Sequence, residues 1–378
     1  MTVRRLELRD FRNYERAELE LGPGVTVVCG PNGAGKTNLL EGLYFALTAR
    51  SCRTSNEREV VRSGRPAARA AAEVEAEDGP HLLEVGFSPG DEKRVLVDGA
   101  RLDVRAAAVP RPLVNVFLPD RLGLVKGAPA LRRAHVDQLI AAAWPARGDL
   151  RGRYARALAQ RNALVARIRA GAAGAGQLDA WDAELAREGF ELMEARREAV
   201  ELLAPGFARR AADLGLPEPA ALRYAPRARA GTAAELRAEL GDRRDSDLER
   251  GFTTHGPHRD DVQLAHGDRP LRSFGSQGQQ RVGLLALLFA ERDLLMDLGR
   301  PPLMLLDDVM SELDQARRER LSDLVRAGGQ ALIATTDAEA VPGAASEGVD
   351  VVEVLDGRLS ITLESSVRPC ESSVEASR

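Results

Sequence analysis

The chain carries 50 arginines and only three lysines, and one of those lysines is Lys36, in the run Gly30-Pro31-Asn32-Gly33-Ala34-Gly35-Lys36-Thr37. Where almost every cation is written as arginine, a lysine marks a place that wants a compact ammonium on a flexible stem. Such a group reaches between the phosphates of a nucleotide as a point charge, where a planar guanidinium fork does not fit. The spacing G-x-x-x-x-G-K-T is that of a phosphate-binding loop, whose glycines let backbone N–H groups turn inward around oxygens. Residues 30–37 are therefore the expected ATP contacts, with Lys36 on the phosphates and the Thr37 hydroxyl on Mg²⁺.

A second chemical centre is Pro302–Asp308, an apolar run ending in two carboxylates. In this Walker B pattern Asp307 is expected in the Mg²⁺ shell and Asp308 where a general base orients the attacking water. Hydrophobics followed by two aspartates are weak evidence alone, but a nucleotide loop needs a metal-side carboxylate from a neighbouring strand. A third is Ser276-Gln277-Gly278-Gln279, which is similar to the signature sequence of ABC-type ATPases. Ser276, Gly278 and Gln279 would offer a hydroxyl, backbone N–H groups and a helix N-terminus to a γ-phosphate.

The elements that must hold these residues are legible from periodicity. Val25–Val28 reads as a buried strand before the loop, and Leu39, Leu40, Leu43 and Leu47 give a helix opening at Thr37. Val3–Asp10 and Ala17–Leu21 read as strands. Ala70–Ala76, Leu82–Phe87 and Arg94–Val97 form a meander punctuated by Asp78-Gly79-Pro80, Pro89-Gly90-Asp91 and Asp98-Gly99. Leu113–Leu118 and Ala331–Thr335 are further strands, and Val282–Leu298 a helix. Between them, Leu150–Arg169 and Gln177–Leu203 read as an antiparallel helical hairpin, about 30–40 Å long at 1.5 Å per residue. Its first arm holds seven arginines against one acid over 147–169. Its second holds eight acids against three arginines over 178–203, so the arms are expected to neutralise each other across their seam. The segment Thr48–Arg69 reads as a loop with six arginines against Glu57 and Glu59. Arg50, Arg53 and Arg62 are the expected DNA-phosphate contacts, with Lys126 a weaker one.

Composition bounds the rest. A chain of 378 residues that is 44% hydrophobic and 29% charged fits a soluble protein with more than one domain. No apolar run reaches membrane-spanning length, and three widely spaced cysteines suit a reducing cytoplasm. A net charge of −4 argues against nucleic-acid binding by the whole surface but leaves room for a local basic face. His255 and His258 have no cysteine partners, so the run HGPHRDD at 255–261 reads as structural or nucleotide-adjacent rather than metal-binding.

About 270 residues separate the loop from Asp307, and a helical insertion between the halves resembles SMC-like heads without their long coiled coil. The blocks LELRDFRNYERAELEL, GPNGAGKTNLLEGLY, LVKGAPALRR, THGPHRDD, FGSQGQQR and LLDDVMSELD, in that order over residues 3–364, resemble the RecF family. Departures are FLPDR at 117–121, where an acidic stretch is expected, and Ala134 and His135 after Arg132 and Arg133. The resemblance implies an α/β fold: an ABC/SMC-like P-loop ATPase head with an inserted helical lobe. The expected parts are 1–119 and 220–364 for the head, 120–219 for the helical lobe and 365–378 for a disordered tail. It also implies a weak DNA-stimulated ATPase that binds double-stranded and gapped DNA as an ATP-sandwiched homodimer. Such a dimer works with RecO and RecR in loading RecA on single-stranded gaps, in repair, replication-fork maintenance and the SOS response. A transporter-type ATPase subunit and an SMC-like structural clamp are the alternatives; the first needs a membrane partner, the second a long coiled coil.

Overall fold

The structure, a computed structural model, describes residues 1–101, 112–118, 122–217, 219–311 and 313–362. The expected tail at 365–378 and residues 119–121 of FLPDR lie outside the described residues. The chain divides into two compact units, 112–305 with 312–324 and 2–111 with 306–311 and 325–378. This division places 220–305 with the helical hairpin rather than with the nucleotide loop.

The unit holding the loop contains two sheets. One is antiparallel, with spatial order Tyr14–Glu20, Thr2–Phe11, Ala68–Ala76, Gly79–Phe87, Arg94–Val97, Ala100–Arg101. Alternation fixes its faces: Leu6 and Leu8, Ala17 and Leu19, Ala70, Ala72 and Val74 are buried, while Arg5, Glu7 and Arg9 face outward. The strand expected at Ala17–Leu21 begins earlier, at Tyr14, because Tyr14 is itself buried opposite Phe11. In the other sheet Val25–Cys29 lies between two parallel neighbours, Ala331–Thr335 and Val349–Leu355, and Arg358–Thr362 closes the edge as a hairpin. Ala331–Thr335 is an apolar run buried throughout, as a strand covered on two faces requires, whereas Val349–Leu355 alternates, with Asp350 exposed and Val352 and Val354 buried. The helix Lys36–Thr48 packs against strands of both sheets and buries Leu39, Leu40, Leu43, Phe45 and Leu47. Phe45 meets Phe11 with ring centroids 5.6 Å apart.

The other unit is built on the hairpin. Leu150–Arg169 is as expected, but its partner runs over Leu178–Asp213, ten residues past the expected end and through Pro205. A proline inside a helix costs about 3 kcal/mol, offset here by burial of Leu203, Phe207 and Ala211 and by docking on the helix Gln277–Asp297. There Arg210 donates to Asp293 at 2.6 Å. Leu164, Val165 and Leu178 close the hairpin tip with Trp181 and Leu248. The expected charge pairing across the seam is present: Arg153 meets Glu188 at 3.0 Å and Glu191, and Arg147 meets Glu198 at 2.5 Å. Arg161 goes further; it is fully buried between Asp182 at 2.6 Å and Asp247 at 2.7 Å. No helix among the described residues is long and apolar enough to cross a membrane.

Candidate functional site

The phosphate loop is held from behind by the turn between the first two strands. Asn13 Nδ2 donates to the carbonyl of Ala34 at 2.9 Å and the buried Tyr14 hydroxyl donates to that of Gly35 at 3.0 Å. Gly357 donates from its backbone to Ala34 as well, at 3.1 Å. These bonds take the outward carbonyls of Ala34 and Gly35, while the Ala34 N–H donates within the loop to the Pro31 carbonyl at 3.2 Å. Two glycines are sterically required. Gly30 has φ 146°, and a Cβ there would stand 2.2 Å from the carbonyl oxygen of Val354. Gly35 has φ 120°, and a Cβ would strike the Asn13 side chain at 2.5 Å.

Lys36 folds back along this loop. Its Nζ donates to the carbonyls of Gly30 at 2.7 Å and Pro31 at 2.9 Å. Burial pulls its pKa down, opposed by the charges of Asp307 and Asp308. The Thr37 hydroxyl donates to the Asp307 carboxylate, at 2.9 and 3.1 Å from its two oxygens. The predicted metal pair, 270 residues apart, is thus in direct contact. Asp307 is 6% exposed, and burial first, then the neighbouring Asp308, raises its pKa. Asp308 is exposed, sits at φ 49°, and donates its N–H to the Ala334 carbonyl at 2.9 Å. The left-handed backbone turns its carboxylate off the strand axis, a conformation that Asp tolerates.

The residues present fit a nucleotide with Mg²⁺. A desolvated carboxylate beside a second one, bonded to a hydroxyl, is a donor set short of a cation, and Mg²⁺ usually takes one or two carboxylates with phosphate oxygens. Among the described residues no cluster of three or more His, Cys, Asp or Glu forms a cage of its own. Ser276 caps the helix Gln277–Asp297: its hydroxyl accepts from the Gln279 N–H at 3.2 Å, and the Gln279 side chain accepts from the Ser276 N–H at 2.8 Å. A Cβ added to Gly278 would meet nothing, so this helix start is open.

Several parts of the site were not foreseen from sequence. Glu41, on the helix after the loop, is fully buried and accepts from Arg12 Nε at 2.8 Å and Nη2 at 2.7 Å, and from Ser51 at 2.5 Å. Arg53 Nη1 lies 3.3 Å from Glu41 and 2.8 Å from Asn38 Oδ1, and Asn38 in turn donates to Asn13. A local charge count leaves most cations of the arginine loop without an acid to neutralise them; the structure corrects this. Arg62 meets Glu15 at 2.9 Å, Arg65 meets Asp10 at 3.3 Å, and Arg69 meets Glu84 and Glu7. Those acids lie on strands distant in sequence or across a turn. Arg50 and Lys126 are exposed and carry no side-chain partner among the described residues. The HGPHRDD residues join a buried polar network. His258 Nδ1 lies 2.6 Å from the Tyr154 hydroxyl, and His255 pairs with Glu239 at 2.5 Å. Arg132 pairs with Asp261 at 2.8 Å, and Asp260 accepts from the Arg227 N–H at 2.7 Å.

A family described as an AAA domain matches residues 5–98. An Smc head bound to the C-winged helix domain of ScpA superposes with a TM-score of 0.58 at 17% identity, covering 96% of this chain and 97% of that one. Loop, Walker B strand and sheet order together define a P-loop ATPase head of the ABC/SMC type. A DNA replication and repair protein RecF of Streptomyces avermitilis is 38% identical over 362 residues, 91% of this chain and 95% of its own. A RecF–ATP structure from the RecFOR pathway, a recombination mediator protein, gives a TM-score of 0.82 at 26% identity, covering 96% and 97%. The chain belongs to the RecF family.

Proposed function

We propose that this chain is an ATP-dependent DNA-binding protein of recombinational repair in the cytoplasm, with weak, DNA-stimulated ATP hydrolysis. The observation that carries the ATPase reading is the Thr37–Asp307 contact beside Lys36. On binding ATP, Lys36 would exchange its two loop carbonyls for phosphate oxygens, and Thr37 and Asp307 would hold Mg²⁺ between them. The metal supplies charge neutralisation at the phosphates. Asp308, exposed on its turned backbone, would orient the attacking water.

The open helix start at Ser276 and Gly278 suits the γ-phosphate of a nucleotide held by a second copy, giving a head-to-tail dimer with ATP between the heads. Hydrolysis then releases the dimer from double-stranded or gapped DNA. Work with RecO and RecR toward RecA loading is carried over from the RecFOR pathway named for the RecF–ATP structure. For DNA phosphates we rank Arg50 and Lys126 first, because Arg53 and Arg62 would have to leave carboxylates they already contact. The test is ATP turnover with and without gapped duplex. Turnover that rises with duplex supports the reading; turnover indifferent to DNA contradicts it.

A further inference from the structure

The antiparallel sheet of the loop-bearing unit has an outward face on which charge is sorted into bands. Pairing places Arg16 opposite Arg9 and Arg9 opposite Arg69. The same row continues through Gly86, opposite Arg69, to Arg94, opposite Gly86. Four arginines on five adjacent strands therefore stand in one line. At about 4.8 Å per strand the row is roughly 19 Å long. Two residues along, the paired row is Glu18, Glu7, Ala71 and Glu84, and a further step gives Arg5 flanked by Glu20 and Glu73.

Like charges directly opposite on neighbouring strands are destabilising, and opposite charges stabilising. The Arg5 row obeys that rule and the Arg9 row breaks it. Arg16 and Arg69 are partly answered by the acidic row, through Glu18 at 2.6 Å and through Glu84 and Glu7. Arg9 and Arg94 are exposed and have no side-chain ion pair or hydrogen bond among the described residues. Gly86 leaves the middle of the row open, with the Arg94 Cβ 3.9 Å from where its own would be. At the other end a cavity lined by Arg9, Asp10, Glu15, Arg16 and Arg65 adjoins the row. The row also ends two residues from the turn whose Asn13 and Tyr14 hold the phosphate loop.

From this placement we propose that the outer face of the antiparallel sheet is a docking surface for the phosphate backbone of duplex DNA, with Arg9 and Arg94 as its primary contacts, Arg69 between them and Arg16 at the end of the row beyond Arg9. The inference rests on the DNA-binding reading above and assigns it a sheet face whose row shares only Arg69 with the arginine-rich segment 48–69. The occupant follows from charge complementarity: a line of four cations, of which Arg9 and Arg94 have no counter-ion among the described residues, matches a continuous polyanion. At roughly 19 Å the row is longer than the major groove is wide, about 12 Å, so its two ends can reach the backbones on either side of that groove. The neighbouring acidic row keeps the duplex to the end of the sheet that joins the phosphate-loop brace, where seating of DNA can bear on the nucleotide.

The experiment is a salt titration of binding to a 30-base-pair duplex with ATP present, comparing wild type with Arg9→Gln/Arg94→Gln and with Arg50→Gln/Lys126→Gln. The sheet variant should keep the wild-type ATP affinity and melting temperature, since it breaks no ion pair. Its slope of log K against log salt should be shallower by about 1.8, about 0.9 for each phosphate no longer neutralised. A wild-type slope in the sheet variant overturns the proposal while leaving DNA binding intact. A shallower slope for single-stranded oligonucleotide but not for duplex overturns the choice of occupant. Absence of salt-dependent duplex binding by the wild type overturns the DNA-binding reading itself.

Discussion

Replacing Glu41 tests whether the phosphate loop depends on a brace that no motif announces. The Glu41 carboxylate is fully buried and takes both Nε and Nη2 of Arg12, whose side chain is only 16% exposed. Glu41→Ala would leave that guanidinium with Glu59 alone, 3.8 Å away and half exposed. Removing one partner of a buried ion pair typically costs about 3–5 kcal/mol, because the other charge stays buried. Glu41→Gln keeps the shape and an acceptor, so about 1–3 kcal/mol is expected. Both tryptophans, Trp144 and Trp181, lie outside the unit that holds Glu41, so fluorescence would miss the event. Hydrogen exchange followed on peptides covering residues 36–48 reads it directly: protection should fall in the order wild type, Gln variant, Ala variant. ATP affinity should fall in the same order, since Arg53 and Asn38 tie Glu41 to the Asn13 brace. Wild-type protection of that helix in Glu41→Ala would refute the reasoning.

Lys36→Arg keeps the charge but not the shape that sits 2.7 and 2.9 Å from two loop carbonyls. ATP turnover should fall by about 100-fold or more, measured as phosphate release. Asp308→Asn should bind ATP normally and turn it over about 100-fold more slowly, because Asn tolerates the φ of 49° and Asp307 is untouched. Equilibrium binding and phosphate release on one preparation separate the two effects, and weakened binding would reverse the roles given to the two aspartates. His258 has its pKa lowered by burial to about 4 from 6.5. Between those values the unfolded chain holds a proton that the folded chain does not, so stability rises with pH across that window. The loss on going from pH 7 to pH 4 is about 3 kcal/mol at most from this one group. Urea midpoints at pH 7 and pH 5 should show it, and His258→Phe, though less stable at both, should show a smaller difference between them.

The nucleotide centre was legible because its chemistry is local. Glycines, one lysine and a hydroxyl within eight residues, followed by a strand ending in two carboxylates, leave little freedom. Asp98-Gly99 likewise announced its turn, with φ of 51° and 78° at the two residues. Asp356-Gly357, at 46° and 74°, carries the same signal for the hairpin Val349–Thr362, yet that hairpin went unread. Asp350 and Glu353 interrupt the apolar run of its first strand, and its second, Arg358–Thr362, has only five residues.

What sequence could not show were pairings made at long separation. Glu41, Asp10, Glu15 and Glu84 neutralise arginines that look unopposed along the chain. Arg161 reads as one more cation on a basic arm, but its helix phase turns it inward onto Asp182 and Asp247. The Arg9 row is invisible before register is known, because its members lie on strands that only pairing brings into line. Helix length was misjudged at Pro205 because the compensating contacts come from the helix Gln277–Asp297.

The central claim, an ATPase whose site is completed by a second copy on DNA, is tested most directly by sedimentation velocity with Mg²⁺, with and without ATP and gapped duplex. The expected result is a monomer without nucleotide, a dimer with ATP, and a dimer moving with the duplex when both are present. Ser276→Arg, which places a long cation at the open start of the signature helix, should bind ATP and remain a monomer throughout. A wild type whose sedimentation is the same with and without ATP, or a Ser276→Arg chain that dimerises as the wild type does, would contradict it.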